Sequence, residues 1–308
     1  MVKSLTIFET QYCLIGSFVN SLSMIYNLPH DLTPADAPDT GPVIIRRYQS
    51  RHNTLKNKII LHKNMINLLI SGEKTILHAE GTTTIREGEF LILSCGNCLT
   101  TEVLPLNDIF SSIILYFDNE LLTDFLHKHI HLIKEEKHKK KPFLTGKQDA
   151  FISNYVHSLD LLLQLPSPLL PEFKKLKLEE LLLYLLEKDP STLYSLLIVT
   201  QNKEDLSIKT AVESNIGNPV TVEELAFLCH CSPSTFKRKF KSIYGLPPQK
   251  WLLEQKMQLA ADLLRHPHER PGQVYQQVGY ENHSSFTQSF KKQYGMTPKE
   301  YQEQNLTR

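Results

Sequence analysis

The chain repeats one short segment of its own sequence fifty residues further along. The stretch "STFKRKFKSIYGLPPQKW" begins at Ser234, and "SSFTQSFKKQYGMTPKEY" begins at Ser284. Aligned without gaps, the copies share Phe, Lys, Tyr, Gly and Pro at matching positions. Because each copy is shorter than an independent domain, the repeat predicts two copies of one small structural unit that share a single domain.

Each copy is predicted to contain a helix whose apolar face points inward. Phe236 and Phe240 are four residues apart, as are Phe286 and Phe290, so each pair lies on one helical face. A glycine and then a proline follow each pair, which is typical of a helix that ends and another that begins. The residues predicted to form the cores of the two units are Leu225, Ala226, Phe236, Phe240, Val278, Phe286 and Phe290.

A short amphipathic segment precedes each pair of phenylalanines, "TVEELAFLCH" in one copy and "PGQVYQQVGY" in the other. A tight turn with "SPS" or "HSS" at the helix cap joins the two parts, which predicts a helix-turn-helix whose second helix enters the major groove of DNA. Outward-facing Arg, Lys and Gln can read bases, and Lys can bind phosphate. The predicted base-contacting residues are Ser234, Lys237, Arg238, His283, Ser284, Thr287 and Gln288. The predicted phosphate-contacting residues are Lys241, Lys250, Lys291 and Lys292.

The segment between the two units predicts a spacer helix from Gln249 to Arg265. A helix of this length spans about 25 Å. With the flanking units added, the second helices of the two units come near the roughly 34 Å that separates successive major-groove openings on one face of DNA. The repeat therefore predicts a duplex held at two points one helical turn apart, with bending of the DNA to absorb any mismatch.

Residues from about Asp205 to Glu303 resemble the DNA-binding domain of the AraC family of bacterial transcription regulators. The spacer "KMQLAADLL" and the second-unit motif "VGYENHSSFTQSFKKQYGMTP" match that family in order and spacing. The resemblance implies a sequence-specific DNA-binding regulator, with activation the usual mode. Gln276 stands where the family has a small residue such as Ala226, and Gln288 stands where many members have Arg. The first unit is therefore predicted to dominate base specificity.

The region from Val43 to about Phe117 has a different texture, with short β-rich runs separated by glycine turns. This spacing is typical of an antiparallel sandwich or small barrel. In the resembled family, the half outside the DNA-binding domain is commonly a cupin-like barrel with helices that dimerise or carry the effector response. The "SGEKTILH" to "SCGNCLTTE" region is similar to the barrel of the ExsA-type activators within that family.

The predicted fold is therefore α+β, with a cupin-like β-barrel and trailing helices followed by an all-α domain of two helix-turn-helix units. The predicted parts are an irregular arm (1–42), a regulatory domain with dimerisation helices (43–199), a linker (200–207) and a DNA-binding domain (208–308). The leucine-rich stretches "LDLLLQL" and "LEELLLYLL" exceed what one core-facing stripe needs, which favours a homodimer, although packing of these helices against the barrel would account for them equally.

Histidine and cysteine patterns do not predict a metal site, a redox site or a cofactor. His52, His62 and His78 in the β-rich region form no His-x-His pair, and the alternating histidines of 127–131 would point apart on a helix. Cys95 and Cys98 form a Cys-x-x-Cys without further ligands close in sequence. They are interpreted as buried turn residues.

The predicted function is that of a regulator in the cytoplasm and not of an enzyme. No apolar run is long enough to span a membrane, no secretory signal is visible, and five cysteines do not describe a disulfide framework. Predicted partners are double-stranded promoter DNA, RNA polymerase, a second copy of the chain, and a small-molecule or protein effector. Two alternatives stay open: a metal-binding cupin protein with a helical appendage, and a protein-interacting adaptor with weak DNA binding.

Overall fold

The computed structural model describes residues 13–14, 25–32, 41–106, 109–129, 143–164, 170–188 and 208–306. The chain divides into two compact units: one comprises Met1–Leu77 and Thr82–Asp205, and the other His78–Gly81 and Leu206–Arg308. β-Sheets dominate the first unit and helices the second, which confirms the predicted α+β class. The predicted linker at 200–207 lies outside the described residues. The division between the two compact units, at Asp205 and Leu206, falls within this range.

The first unit contains two β-sheets. Its strands are β1 Cys13–Leu14, β2 Ile25–Leu28, β3 Val43–Ser50, β4 Thr54–Leu61, β5 Asn64–Ser71, β6 Glu73–His78, β7 Gly81–Arg86, β8 Glu89–Leu93, β9 Gly96–Val103, β10 Phe110–Phe117 and β11 Phe143–Lys147. A six-stranded sheet has the order β1-β3-β10-β5-β8-β11, and a five-stranded sheet has the order β2-β4-β9-β6-β7. The segment predicted as an irregular arm contains β2, which pairs in parallel with β4, and a 3-10 helix at His30–Leu32.

Strand β10 shows why the six-stranded sheet lies at the centre of this unit. All eight of its residues are buried. Ile113, Leu115 and Phe117 belong to a core shared with helices, whereas Ile114 and Tyr116 belong to a core shared with the other sheet. Because side chains alternate between the faces of a strand, both faces of this sheet must be covered.

Helices cover the outer face of the six-stranded sheet. They are α1 Asn119–Lys128, α2 Ala150–Leu162 and α3 Leu170–Lys188. Asp149 caps α2 by accepting a hydrogen bond from the N–H of Ile152 at 3.1 Å. The hydroxyl of Tyr155 in α2 donates to the carbonyl of Lys177 in α3 at 2.6 Å, which ties the two helices together. The trailing helices predicted for this region are therefore present.

Residues 208–306, the described part of the second unit beyond His78–Gly81, form helices. These helices are α4 Ile208–Glu213, α5 Val222–Leu228, α6 Pro233–Tyr244, α7 Pro248–Leu264, α8 Pro271–Gln277, α9 His283–Tyr294 and α10 Pro298–Leu306. Thr221 and Glu224 form a capping box that starts α5. Ser232 caps α6 and Asn282 caps α9, so the second cap is the residue before the predicted "HSS".

The sequence repeat is also a repeat of side-chain packing. The rings of Phe236 and Phe240 lie 5.7 Å apart, and those of Phe286 and Phe290 lie 5.8 Å apart. All four side chains are 0% exposed. A tyrosine one helical turn further on extends each pair. The ring centres of Phe240 and Tyr244 lie 4.5 Å apart, and those of Phe290 and Tyr294 lie 4.6 Å apart. Two copies of one aromatic core thus support α6 and α9.

Candidate nucleic-acid interface

The outer face of α6 is polar and mostly basic. Ser234, Lys237, Arg238 and Lys241 are exposed, and the phenylalanines of the same helix are buried. The ammonium of Lys237 lies 3.6 Å from the carboxylate of Glu223, and both side chains are about half exposed. An exposed pair of this kind is weak and can exchange for a phosphate partner.

Lys239 is a further exposed basic residue of α6 that the sequence prediction missed. Burial raises the pKa of the Cys229 and Cys231 thiols, and the nearby charge of Lys239 opposes this rise at both. Lys239 therefore lies beside the turn of the helix-turn-helix. The run "KRK" in the sequence was the available signal.

The outer face of α9 has a different character. His283, Ser284, Gln288, Lys291 and Lys292 are exposed. The two lysines lie in the last turn of the helix, so its first two turns present uncharged polar groups and a histidine. The two units therefore offer unequal surfaces to a polyanion, with α6 the more strongly positive.

Thr287 differs from the other predicted base-contacting residues. Its side chain is partly buried, and its hydroxyl donates to the carbonyl of His283 at 2.9 Å. This bond occupies its one donor, so the hydroxyl is left only as an acceptor.

The turn of the second helix-turn-helix is one residue longer than the turn of the first. Four residues separate α5 from α6, whereas five separate α8 from α9. In the first unit the N–H of Cys231 donates to the carbonyl of Ala226 at 3.0 Å. The equivalent bond in the second unit joins Tyr280 to Tyr275 at 2.8 Å. Helix α8 of the second helix-turn-helix therefore corresponds to α5 of the first with an offset of 49 residues (280 − 231). A gap-free alignment at an offset of 50 residues is wrong for this helix.

This offset corrects the interpretation of Gln276. The residue of the turn with a left-handed backbone is His230 (φ 54°) in the first helix-turn-helix and Gly279 (φ 72°) in the second. These two residues again differ by 49 positions. Gln276 is thus equivalent to Phe227, not to Ala226, and its side chain is exposed where Ala226 is fully buried. The glutamine replaces no small core residue.

A junction that the sequence did not predict joins the second turn to the segment before α5. The ammonium of Lys256 in α7 lies 3.3 Å from the carbonyl oxygen of Asn218 and 3.4 Å from that of Gly279. A Cβ on Gly279 would lie 2.8 Å from the carbonyl carbon of Asn218 and 2.9 Å from the nitrogen of Pro219. Glycine is needed here for both its backbone angle and its lack of a side chain.

Helix α7 contributes to the cores of both helix-turn-helix units. Near its start, Trp251 packs edge-on against Phe240 at 5.6 Å. Further along, its buried residues join the core that contains Phe286 and Phe290. These residues of α7 are Met257, Ala260, Ala261 and Leu264. One helix therefore fixes the position of α6 relative to α9, and the exposed Lys250 lies in its first turn.

The amino-terminal unit contains a cavity of about 460 Å³. Residues of both sheets line it, among them Tyr48, Lys74 and Glu102. Of the three histidines in the predicted barrel, only His52 is among the lining residues. Cys98 also lines it, and burial raises the pKa of its thiol to about 12, so the thiol stays protonated.

Two further patterns in the sequence are the alternating histidines of 127–131 and the Cys-x-x-Cys of Cys95 and Cys98. His127 is exposed, the ring of His129 packs against Phe125 at 4.7 Å, and His131 lies outside the described residues. Cys95 is partly buried and its N–H donates to Asn64. Within the described ranges, no three His, Cys, Asp or Glu side chains are grouped as a metal site requires. No described helix combines the length and the apolar character needed to cross a membrane.

Two helix-turn-helix units on a shared helix, coupled in sequence to a two-sheet domain, define a DNA-binding regulator with a separate regulatory part. Residues 64–196 match the ExsA N-terminal regulatory domain, and residues 225–304 match a helix-turn-helix domain. The matched helix-turn-helix domain is of the AraC type, and the chain is similar to AraC-family transcription regulators along most of its length, as the sequence resemblance implied.

Several relatives match along most of the chain. The virulence regulon transcriptional activator VirF of Yersinia enterocolitica is 26% identical over 255 residues, which is 78% of this chain and 90% of VirF. The regulator ExsA of Pseudomonas aeruginosa is 24% identical over 237 residues, which is 75% of this chain and 83% of ExsA. A solved structure of apo ToxT from Vibrio cholerae covers 86% of this chain and 98% of its own, at 15% identity and a TM-score of 0.38.

Proposed function

We propose that the chain is a sequence-specific transcription activator of the cytoplasm that binds promoter DNA through both helix-turn-helix units. The observation that carries the proposal is the duplicated aromatic core, which presents the polar faces of α6 and α9 to solvent on one shared helix. A relative that matches 78% of the chain is named as an activator, which supports activation and makes RNA polymerase a proposed partner.

The base contacts are proposed to come mainly from α6. Arg238 is exposed on this helix, and Arg is the side chain best suited to donate two hydrogen bonds to guanine. On α9, Ser284 and Gln288 are proposed to contact bases from the uncharged part of the helix. Lys241, Lys250, Lys291 and Lys292 are proposed to contact phosphates and set the register of the complex.

Self-association is proposed to use helices α2 and α3. Five large apolar side chains on these helices are between 38% and 61% exposed: Phe151, Leu161, Phe173, Leu176 and Leu183. Burying them between two chains would remove apolar area from water. Sedimentation velocity of the full chain is expected to give the mass of two chains, and the mass of one chain at every concentration tested would contradict the dimer.

Regulation is proposed to act through the amino-terminal unit by a small ligand. The cavity of about 460 Å³ supports this proposal, because binding sites for small molecules have volumes of a few hundred to about 1,000 Å³. If no small ligand binds, the alternative is that a protein effector acts on this unit.

The proposed roles of Arg238 and Lys291 predict different outcomes for their alanine variants. Arg238→Ala is expected to lose about 1–3 kcal/mol of binding free energy on the preferred site and to relax base choice at one position. Lys291→Ala is expected to weaken binding to all sequences alike and to lower the salt slope by roughly 0.9. Mobility shifts on a selected site, on its single-base variants and over a salt series measure both effects.

Lys209 provides the matched control, because it is an exposed lysine of α4, which lies outside both helix-turn-helix units. Lys209→Ala should leave affinity and salt slope unchanged. An unchanged salt slope in Lys291→Ala would remove its phosphate role. Failure of the unmodified chain to shift any fragment from a random DNA pool would contradict the proposed function itself.

A further inference from the structure

The cavity of the amino-terminal unit has one polar end that is built from buried charged groups. The ammonium of Lys74 donates to one oxygen of the Glu102 carboxylate at 2.8 Å. The hydroxyl of Tyr48 donates to the other oxygen at 2.8 Å. Lys74 and Glu102 are 6% and 4% exposed. We call these three residues the Tyr48–Lys74–Glu102 triad.

The triad has no net charge. Lys74 and Glu102 form an ion pair, and burial together with the Glu102 carboxylate raises the pKa of Tyr48 far above its ordinary value, so the phenol stays neutral. The Lys74 ammonium also lies 5.8 Å from the ring centres of Tyr48 and Phe110. Both charges are therefore compensated within the cavity wall, as buried charges must be.

The triad retains hydrogen-bonding capacity toward a ligand. An ammonium has three donors, and Glu102 is the one hydrogen-bond partner of Lys74 among the described residues. A carboxylate has about four acceptor positions, of which Tyr48 and Lys74 occupy two. A group that both accepts and donates can therefore bind beside Lys74 and Glu102 without displacing their contact.

The rest of the cavity is largely apolar. Leu28, Leu61, Met65 and Ile114 contribute side chains that are buried or partly buried. An extended aliphatic or aromatic body would remove this lining from water, which is the main source of affinity for such molecules. A polar head at the triad and an apolar body against these residues together specify an amphipathic molecule.

The cavity opens to solvent at the turn between β3 and β4. His52, Asn53 and Leu55 line it and are exposed, with Leu55 78% exposed. Beside them, β4 changes its register with β9, and Lys56 has a φ of 51°. The strand therefore bulges at the mouth of the cavity, as strands commonly do beside binding sites.

We propose that this cavity binds an uncharged amphipathic small molecule whose polar head both donates and accepts hydrogen bonds at Lys74 and Glu102. The inference rests on the proposed regulation by a small ligand and names its chemical class. A carboxylate head would add a negative charge beside Glu102, and an ammonium head would add a positive charge beside Lys74. Either excess charge is costly where the dielectric constant is low.

Three probes with the same eight-carbon tail test the proposal: 1-octanol, octanoate and octylammonium. Titration calorimetry of the full chain at pH 7 is expected to show octanol binding about tenfold more tightly than either charged probe. Glu102→Gln leaves Lys74 unpaired and should reverse the order in favour of octanoate. Lys74→Met leaves Glu102 unpaired and should reverse it in favour of octylammonium.

The double variant Lys74→Met/Glu102→Gln guards against misfolding of the single variants, because it leaves no buried charge unpaired. It should still bind octanol, about tenfold more weakly than the unmodified chain, since the hydroxyl has lost both charged partners. Lys177→Met is the matched control: Lys177 pairs with Glu180 at the surface of α3, and its loss should leave the order of the three probes unchanged.

Octanoate binding as tightly as octanol to the unmodified chain, or no octanol binding at all, would overturn the proposal. An unchanged order of probes in both single variants would also overturn it. Mobility shifts with the same protein preparations separate the two levels of inference. DNA binding without octanol binding refutes the ligand class alone, whereas octanol binding without DNA binding refutes the proposed regulator.

Discussion

Gly279→Ala is expected to destabilise the carboxy-terminal unit by about 2–5 kcal/mol. The left-handed backbone at φ 72° costs an alanine roughly 1–2 kcal/mol. The added Cβ would also lie 2.8 Å from the backbone of Asn218, and overpacking of this kind costs roughly 1–3 kcal/mol more. The backbone atoms on the other side cannot move away without shifting the segment that leads into α5.

Trp251 makes this loss measurable in the full chain. It is the single tryptophan, and it packs against Phe240 and Tyr244 in the carboxy-terminal unit. Denaturant unfolding followed by its fluorescence therefore reports on this unit. A midpoint well below that of the unmodified chain is expected for Gly279→Ala.

Gly295→Ala is the matched control for backbone angle without crowding. Gly295 has a φ of 77°, and a Cβ there would meet no atom within 4 Å. Its replacement should cost only the roughly 1–2 kcal/mol of the left-handed backbone. Equal destabilisation of the two variants would mean that the contact with Asn218 does not constrain the junction.

The duplicated unit could be predicted from the sequence because its determinants are local. The Phe236–Phe240 spacing places both rings on one face of a helix, and the glycine that follows permits a left-handed end. Gly245 does have a φ of 74°. Short-range spacing of this kind needs no knowledge of the rest of the fold.

The errors and omissions have a physical reason in common, which is that they depend on contacts between distant segments. The length of the second turn is set where Gly279 meets Asn218, 61 residues earlier (279 − 218). The strand at Ile25–Leu28 exists because β4 pairs with it, and nothing in the Pro- and Asp-rich surroundings indicates that pairing.

The cavity could not be predicted for the same reason. Tyr48 and Glu102 are 54 positions apart, and Lys74 is 28 positions from Glu102. In the sequence each reads as an ordinary residue of a half-exposed strand. Only the pairing and facing of the strands bring the three side chains together.

The two helix-turn-helix units are expected to contribute unequally to DNA binding. Helix α6 has four exposed basic residues along its length, namely Lys237, Arg238, Lys239 and Lys241. The lysines of helix α9 lie only in its last turn. Electrostatic attraction to phosphate should therefore come mainly from the first unit, with the second adding position and further base contacts.

Chemical footprinting on a selected operator tests the central claim, that both units grip one duplex on the same face. Two protected major-groove segments about 10 base pairs apart are expected. Inserting five base pairs between them turns one segment to the opposite face. Because two linked sites gain about 10²–10⁴-fold in affinity over one, the insertion should lower affinity by at least about 10²-fold. A single protected segment, or full affinity after the insertion, would contradict the account.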